Sequence, residues 1–181
     1  MAVLIEAISV VIRCESIARR FSGGVENFIA SVPNGTLCSD GELACVNFMV
    51  PDDVKKYVEY LVGQGLIFKE FGTAVDLVVV DQKRGMAFDC EWAIFGEADW
   101  NNNPECPISV CQYSPSNIKH VVVPGGWDYV SSLSATSNFV DGENIPSGLK
   151  FVRRDGDLDV LRDESTGQEF FVRARAGVRL S

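Results

Sequence analysis

Ten residues near the start of the chain constrain its fold more than any others. Val3 to Ile12 reads Val-Leu-Ile-Glu-Ala-Ile-Ser-Val-Val-Ile, β-branched and apolar on what would be both faces of a strand. Such a run is stabilised by burial only where both faces are covered, so it predicts a central strand of a layered sheet. It falls far short of the roughly 20 apolar residues that a spanning helix needs. No basic segment precedes it and Arg13-Cys14-Glu15 follows it, which argues against a signal peptide and for a cytoplasmic protein.

Helical spacing follows twice. Val25, Phe28, Ile29 and Val32 recur after a Ser22-Gly23-Gly24 break and stop at Pro33-Asn34-Gly35. Val54, Tyr57, Val58, Leu61 and Val62 make a second stripe, opened by Pro51-Asp52-Asp53 and closed by Gly63 and Gly65. Val25, Phe28, Ile29 and Val32 match Val54, Tyr57, Val58 and Leu61 position for position, and each stripe precedes a predicted strand (43–50 and 75–81, the latter after a further strand expected over 66–71). This predicts an α+β fold with a mixed or antiparallel sheet and both helices on one face, ferredoxin-like or split βαβ in the first half. Beyond Asp81 the pattern turns β-rich. A hairpin return is predicted over 86–95, a loop over 96–107, short strands over 108–113 and 118–123, and a long loop over 124–148. A closing meander follows over 149–154, 158–162 and 168–175. The 181 residues fit one domain, with possible sub-lobes 1–81 and 82–181.

Charge narrows the function. Sixteen basic against 25 acidic side chains give a net charge of −9, which disfavours nucleic acid and anionic lipid as partners. From Gly85 to Ile118 there is no Lys or Arg, while Asp89, Glu91, Glu97, Asp99 and Glu105 all fall there, among Trp92, Phe95 and Trp100. Carboxylates interleaved with indoles suit a cationic ligand or a basic protein partner, through charge and cation–π contact. The predicted binding surface is therefore Asp89, Glu91, Trp92, Glu97, Asp99 and Trp100 within residues 88–105, and the predicted role is binding without catalysis or cofactor. The plainer alternative is a solvated acidic face with Trp92 and Phe95 in the core.

Met86-Ala-Phe-Asp-Cys-Glu-Trp92 resembles the first motif of the DEDD 3′–5′ exonucleases, and Pro107-Ile-Ser-Val-Cys-Gln-Tyr113 resembles the second strand of that fold. The resemblance implies a phosphodiester hydrolase in which Asp89 and Glu91 hold Mg²⁺ or Mn²⁺. It spans residues 86–123, and the family's further acidic motifs have no counterpart after it. Other chemistry finds little footing. His120 is the only histidine and lies in an apolar run, and there is no Gly-x-Ser-x-Gly elbow. Pro124-Gly125-Gly126 reads as a turn. Cys106 and Cys111 lack the second ligand pair a zinc site needs, and all six cysteines read as thiols.

Overall fold

The computed structural model describes residues 1–114, 120–136, 149–155, 158–163, 167 and 169–173. The fold is α+β, and the chain divides into two compact units, Met1–Tyr129 and Val130–Ser181. In the first unit the elements run β1 (Ala2–Ile5), β2 (Ile8–Arg13), α1 (Cys14–Arg20), α2 (Gly24–Ala30), β3 (Cys38–Ser39) and β4 (Leu43–Phe48). They continue with α3 (Pro51–Gly63), β5 (Lys69–Glu70), β6 (Thr73–Ala74), β7 (Leu77–Asp81), β8 (Gly85–Met86), β9 (Ala93–Asp99), β10 (Pro107–Tyr113) and β11 (Val121–Val122).

The opening apolar run is two strands, not one, and they belong to different sheets. β1 joins a four-stranded sheet of order β11-β1-β10-β9, and β2 joins a five-stranded sheet of order β3-β4-β2-β7-β8. The chain turns at Ala7, whose φ of 49° is uncommon for a residue with a Cβ. Gln82 holds this corner from both sides. Its side-chain oxygen accepts the Ala7 N–H at 2.9 Å, and its backbone N–H donates to the Ala7 carbonyl at 2.9 Å. A strand that bends sharply and changes sheets is a standard way to make the corner of a two-sheet packing.

Both halves of the run are nevertheless covered on both faces, as the sequence requires. Val3 and Ile5 share one cluster with Val11, Cys45, Val78, Val80 and Cys111, which is the layer between the two sheets. Val10 and Ile12 face the helices, against Ile17, Phe28, Val54, Val58 and Leu61. Ala2 and Leu4 face a third cluster with Ile108 and Val110, over which Trp100, Val123 and Trp127 pack. The first unit is thus layered as helices, sheet and sheet, with the end of β9 and the segment at 121–129 covering the outside.

The five-stranded sheet is antiparallel throughout. β4 and β7 both pair with β2, so β4, α3 and β7 form a split βαβ unit with β2 in the gap. The first helical stripe behaves differently. Its connection joins β2 to β4, which are direct neighbours, and Val25 and Ile29 are exposed while Phe28 is buried. The reason is α1, which no apolar periodicity announced: Ile17 and Phe21 already occupy part of that sheet face, and Phe21 meets Phe28 edge-on at 5.4 Å. Two helical segments therefore share the face that one stripe was expected to fill.

Asp76 ties these layers together. It is 1% exposed, and its carboxylate accepts the Ser16 hydroxyl at 2.6 Å, the Ile67 N–H at 2.7 Å and the Arg20 guanidinium at 3.3 Å. Its backbone carbonyl accepts the Arg13 N–H at 2.9 Å. One buried acid thereby fixes α1, the end of β2 and the segment before β5.

The second unit holds the short helix α4 (Leu133–Thr136) and the meander β12 (Leu149–Asp155), β13 (Leu158–Asp163) and β14 (Glu169–Arg173), antiparallel in that order. Val160 and Leu161 are buried. Arg154 grips Asp159 at 2.7 and 3.2 Å, while Arg153 and Arg162 both reach Glu169. The meander agrees with the sequence reading. The division between units does not follow the possible sub-lobes, because β1 pairs with β10 and β11 and so binds residues on either side of position 81. Of the loop expected at 124–148, residues 137–148 lie outside the described residues, and the described part holds the short helix α4. Among the described residues no helix is long and apolar enough to cross a membrane.

Candidate functional site

The base-free acidic stretch is built from the segment after β8 and from β9. The strand expected over 86–95 is interrupted. Residues 87–92 form no continuous ladder and are held by single contacts: the Ala87 N–H donates to the Val79 carbonyl at 2.9 Å, Asp89 bridges Thr73 and its carbonyl accepts the Ala74 N–H at 2.7 Å, and the Trp92 carbonyl accepts the Ser114 N–H at 2.9 Å. β9 then starts at Ala93 and runs to Asp99, through residues expected to be loop. Its partner is β10, in the other sheet from β7. Gly96, Glu97 and Asp99 gave no apolar alternation to read, because this strand lies on an edge.

The six predicted residues fall into three environments. Asp89 and Glu91 are exposed on the irregular segment. Glu97 and Asp99 are exposed on β9, on the strand face that also carries Ala93 and Phe95. The indoles are separated by the sheet. Trp92 packs into the cluster between the sheets, donates its N–H to the Ala74 carbonyl at 3.2 Å, and has the Arg13 guanidinium 5.9 Å from its ring centroid. Trp100 belongs to the outer cluster, with Trp127 edge-on at 4.8 Å. Alternation along β9 is the physical cause: Ala98 and Trp100 point to one side, Glu97 and Asp99 to the other. Carboxylates and indoles that are neighbours in sequence are therefore not one aromatic-lined hollow, and a cation already lies over Trp92.

What the carboxylates do share is an edge. β9 ends its sheet, each of its seven residues pairs with β10, and no second strand lies beside it among the described residues. Its outer backbone N–H and C=O groups are a template for another strand. Glu97 and Asp99 flank that edge, Ile94 is 48% exposed on the opposite face, and none of Asp89, Glu91, Glu97 or Asp99 takes part in an ion pair among the described residues.

Other chemistry is poorly supplied. No group of three or more His, Cys, Asp or Glu among the described residues is placed to hold a metal ion, so Asp89 and Glu91 gain no third ligand. The residues present do not fit the Mg²⁺ or Mn²⁺ pair that the exonuclease likeness implies. All six cysteines are free. Burial pushes the thiols of Cys14, Cys45, Cys90 and Cys111 up from their ordinary value, Cys111 to about 12, opposite to the shift an activated nucleophile needs. His120 is exposed, and its backbone carbonyl anchors β1 by accepting the Ala2 N–H at 3.0 Å. Two hollows, of about 650 and 470 Å³, flank α3, and neither is lined by any of the six predicted residues. No protein family matches the chain, and neither a curated protein nor a solved structure resembles it.

Proposed function

We propose that this protein works by binding, and that the edge of β9 holds an extended basic segment of a partner protein. One observation carries the reading: the first unit presents a seven-residue edge strand flanked by unpaired carboxylates. An added strand would draw affinity from main-chain hydrogen bonds to β9. Its Lys and Arg side chains would meet Glu97 and Asp99 on one face, with Asp89 and Glu91 nearby in sequence. A net charge of −9 would speed the encounter at low salt. The reading places the protein in the cytoplasm, where six free thiols would stay reduced.

The competing role for these charges is to keep edges of separate copies apart. A peptide of alternating Lys and Val, titrated into isotopically labelled protein, separates the two. Binding should move the β9 amide resonances at low salt and weaken as salt rises. It should vanish in the variant carrying Asp89→Asn, Glu91→Gln, Glu97→Gln and Asp99→Asn. Unchanged binding by that variant, or shifts that bypass β9, would refute the proposal.

A further inference from the structure

The hydrogen-bond phase of β9 fixes which of its main-chain groups are free. The Trp92 carbonyl accepts the Ser114 N–H at 2.9 Å, and the Trp100 N–H donates to the Cys106 carbonyl at 2.9 Å. Between these two bonds the register with β10 is unbroken, Ile94 facing Gln112, Gly96 facing Val110 and Ala98 facing Ile108. Bonded and non-bonded pairs alternate in an antiparallel ladder, so Ile94, Gly96 and Ala98 direct their N–H and C=O groups at β10. Phe95, Glu97 and Asp99 direct theirs at the open edge, where no other hydrogen bond among the described residues reaches them.

The same alternation sorts the side chains. Glu97 and Asp99 stand on the face of Phe95, while Ile94, Gly96 and Ala98 stand on the outer one. On that outer face Ile94 is 48% exposed, and a Cβ at Gly96 would meet nothing within 4 Å. Ala98 and Trp100, packed against the outer cluster, close the far end. The result is a notch over Gly96 with an apolar wall on either side. Gly96 has no left-handed φ and sits in regular strand, so no turn calls for glycine there. A glycine inside a strand weakens it and often marks a place where another chain approaches closely.

We infer that the basic segment bound along β9 carries an aromatic side chain that covers Gly96, next to the Lys or Arg beside Glu97. The inference rests on the reading of β9 as the binding edge. In an added strand, residues beside Glu97 and Asp99 share the face of the carboxylates, and residues beside Ile94, Gly96 and Ala98 share the outer face. An antiparallel segment therefore places basic residues beside Asp99 and Glu97, one residue between them beside Ala98, and the aromatic residue next, beside Gly96. An aromatic ring opposite an edge glycine shields the main chain that the missing side chain leaves bare. Ile94 and Ala98 give that ring apolar neighbours.

Two peptides test this, Lys-Val-Lys-Phe-Lys-Val and the same sequence with Ala in place of Phe. Each is titrated into isotopically labelled protein at low salt while the β9 amide resonances are followed. The Phe peptide should bind roughly fivefold tighter, as a favourable cross-strand pair provides. Gly96→Gln fills the notch without changing the charge, and the open space at Gly96 lets the variant fold. In it the affinity ratio should fall to about one, with the Ala peptide binding as before. If both peptides shift β9 with equal affinity, or if Gly96→Gln leaves the ratio intact, the aromatic seat is refuted while the edge reading stands. If neither peptide shifts β9, the edge reading has failed and this inference with it.

Discussion

Replacing Asp76 by alanine removes the carboxylate that three separate segments use. Ser16, Ile67 and Arg20 each lose an acceptor, at 2.6, 2.7 and 3.3 Å. The contributions are unequal. Arg20 is 44% exposed, so its half of the ion pair is screened by water and is worth about 0–1 kcal/mol. The Ile67 N–H and the Ser16 hydroxyl are left without partners in a buried place, at about 1–3 kcal/mol each. Because the three share one acceptor their losses do not add, and the whole change is about 3–5 kcal/mol. Asp76→Asn keeps an accepting oxygen and should cost about half as much, and Arg20→Ala less than about 1 kcal/mol. All three tryptophans, Trp92, Trp100 and Trp127, lie in the first unit, so their fluorescence during urea unfolding reports that unit alone. The midpoint should fall in the order Arg20→Ala, Asp76→Asn, Asp76→Ala with the slope unchanged. If Arg20→Ala proves as damaging as Asp76→Ala, the ion pair and not the buried hydrogen bonds holds these layers, and the reasoning fails.

Three further outcomes are expected. Gly65→Ala should destabilise the first unit by roughly 2–4 kcal/mol in the same unfolding assay, because Gly65 has φ +108° and a Cβ there would lie 2.5 Å from the Arg20 carbonyl oxygen, whereas Gly72→Ala, at φ +84° with open space, should cost only about 1–2 kcal/mol. In the meander, hydrogen bonds from Arg162 and Arg153 hold the Glu169 carboxyl below its ordinary 4.5. A depressed carboxyl contributes stability that is present above its unfolded pKa and lost as pH falls through the folded one; acidification below about pH 4 should therefore lower the hydrogen-exchange protection factors of β14, taken relative to the intrinsic exchange rate at each pH, and Glu169→Gln should remove that pH dependence. Alkylation at mildly basic pH, read by mass, should spare Cys45 and Cys111, which are buried and whose thiols are pushed up, until urea unfolds the first unit.

The legible parts of the fold are those in which local signals agree. α3 begins at the proline and ends at the glycine that the sequence marks, and Val54, Tyr57, Val58 and Leu61 of its stripe are buried as the spacing requires, while Val62, at the stripe's margin, is exposed. The meander strands likewise lie where their apolar runs and turn residues put them. α1 was hidden because Ile17 and Ser16 are its buried residues, too few to make a period, and its signs are the Glu15–Arg19 pair and the basic last turn. β9 was hidden in part because an edge strand needs no second apolar face. For the candidate site, the absence of Lys and Arg over 85–118 located an exposed acidic stretch, but proximity along the chain did not carry over into space. Pleating turned Trp100 away from Glu97 and Asp99, and Trp92 went into the layer between sheets. Asp76 gave no signal at all, since an acid beside a strand acquires its role from what packs against it.

Composition and pattern alone required that Val3 to Ile12 be covered on both faces, because apolar surface of that density is unstable in water whatever surrounds it. They equally required an acidic surface without cations between 85 and 118. Tertiary structure alone decided that the opening run would be split between two sheets. Ala7 carries no turn signal, and the corner exists because Gln82, 75 residues further on, supplies the hydrogen bonds that hold it. Burial is non-directional and can be satisfied by many partners, whereas a hydrogen-bonded corner and a strand register need particular groups that only the folded chain brings together.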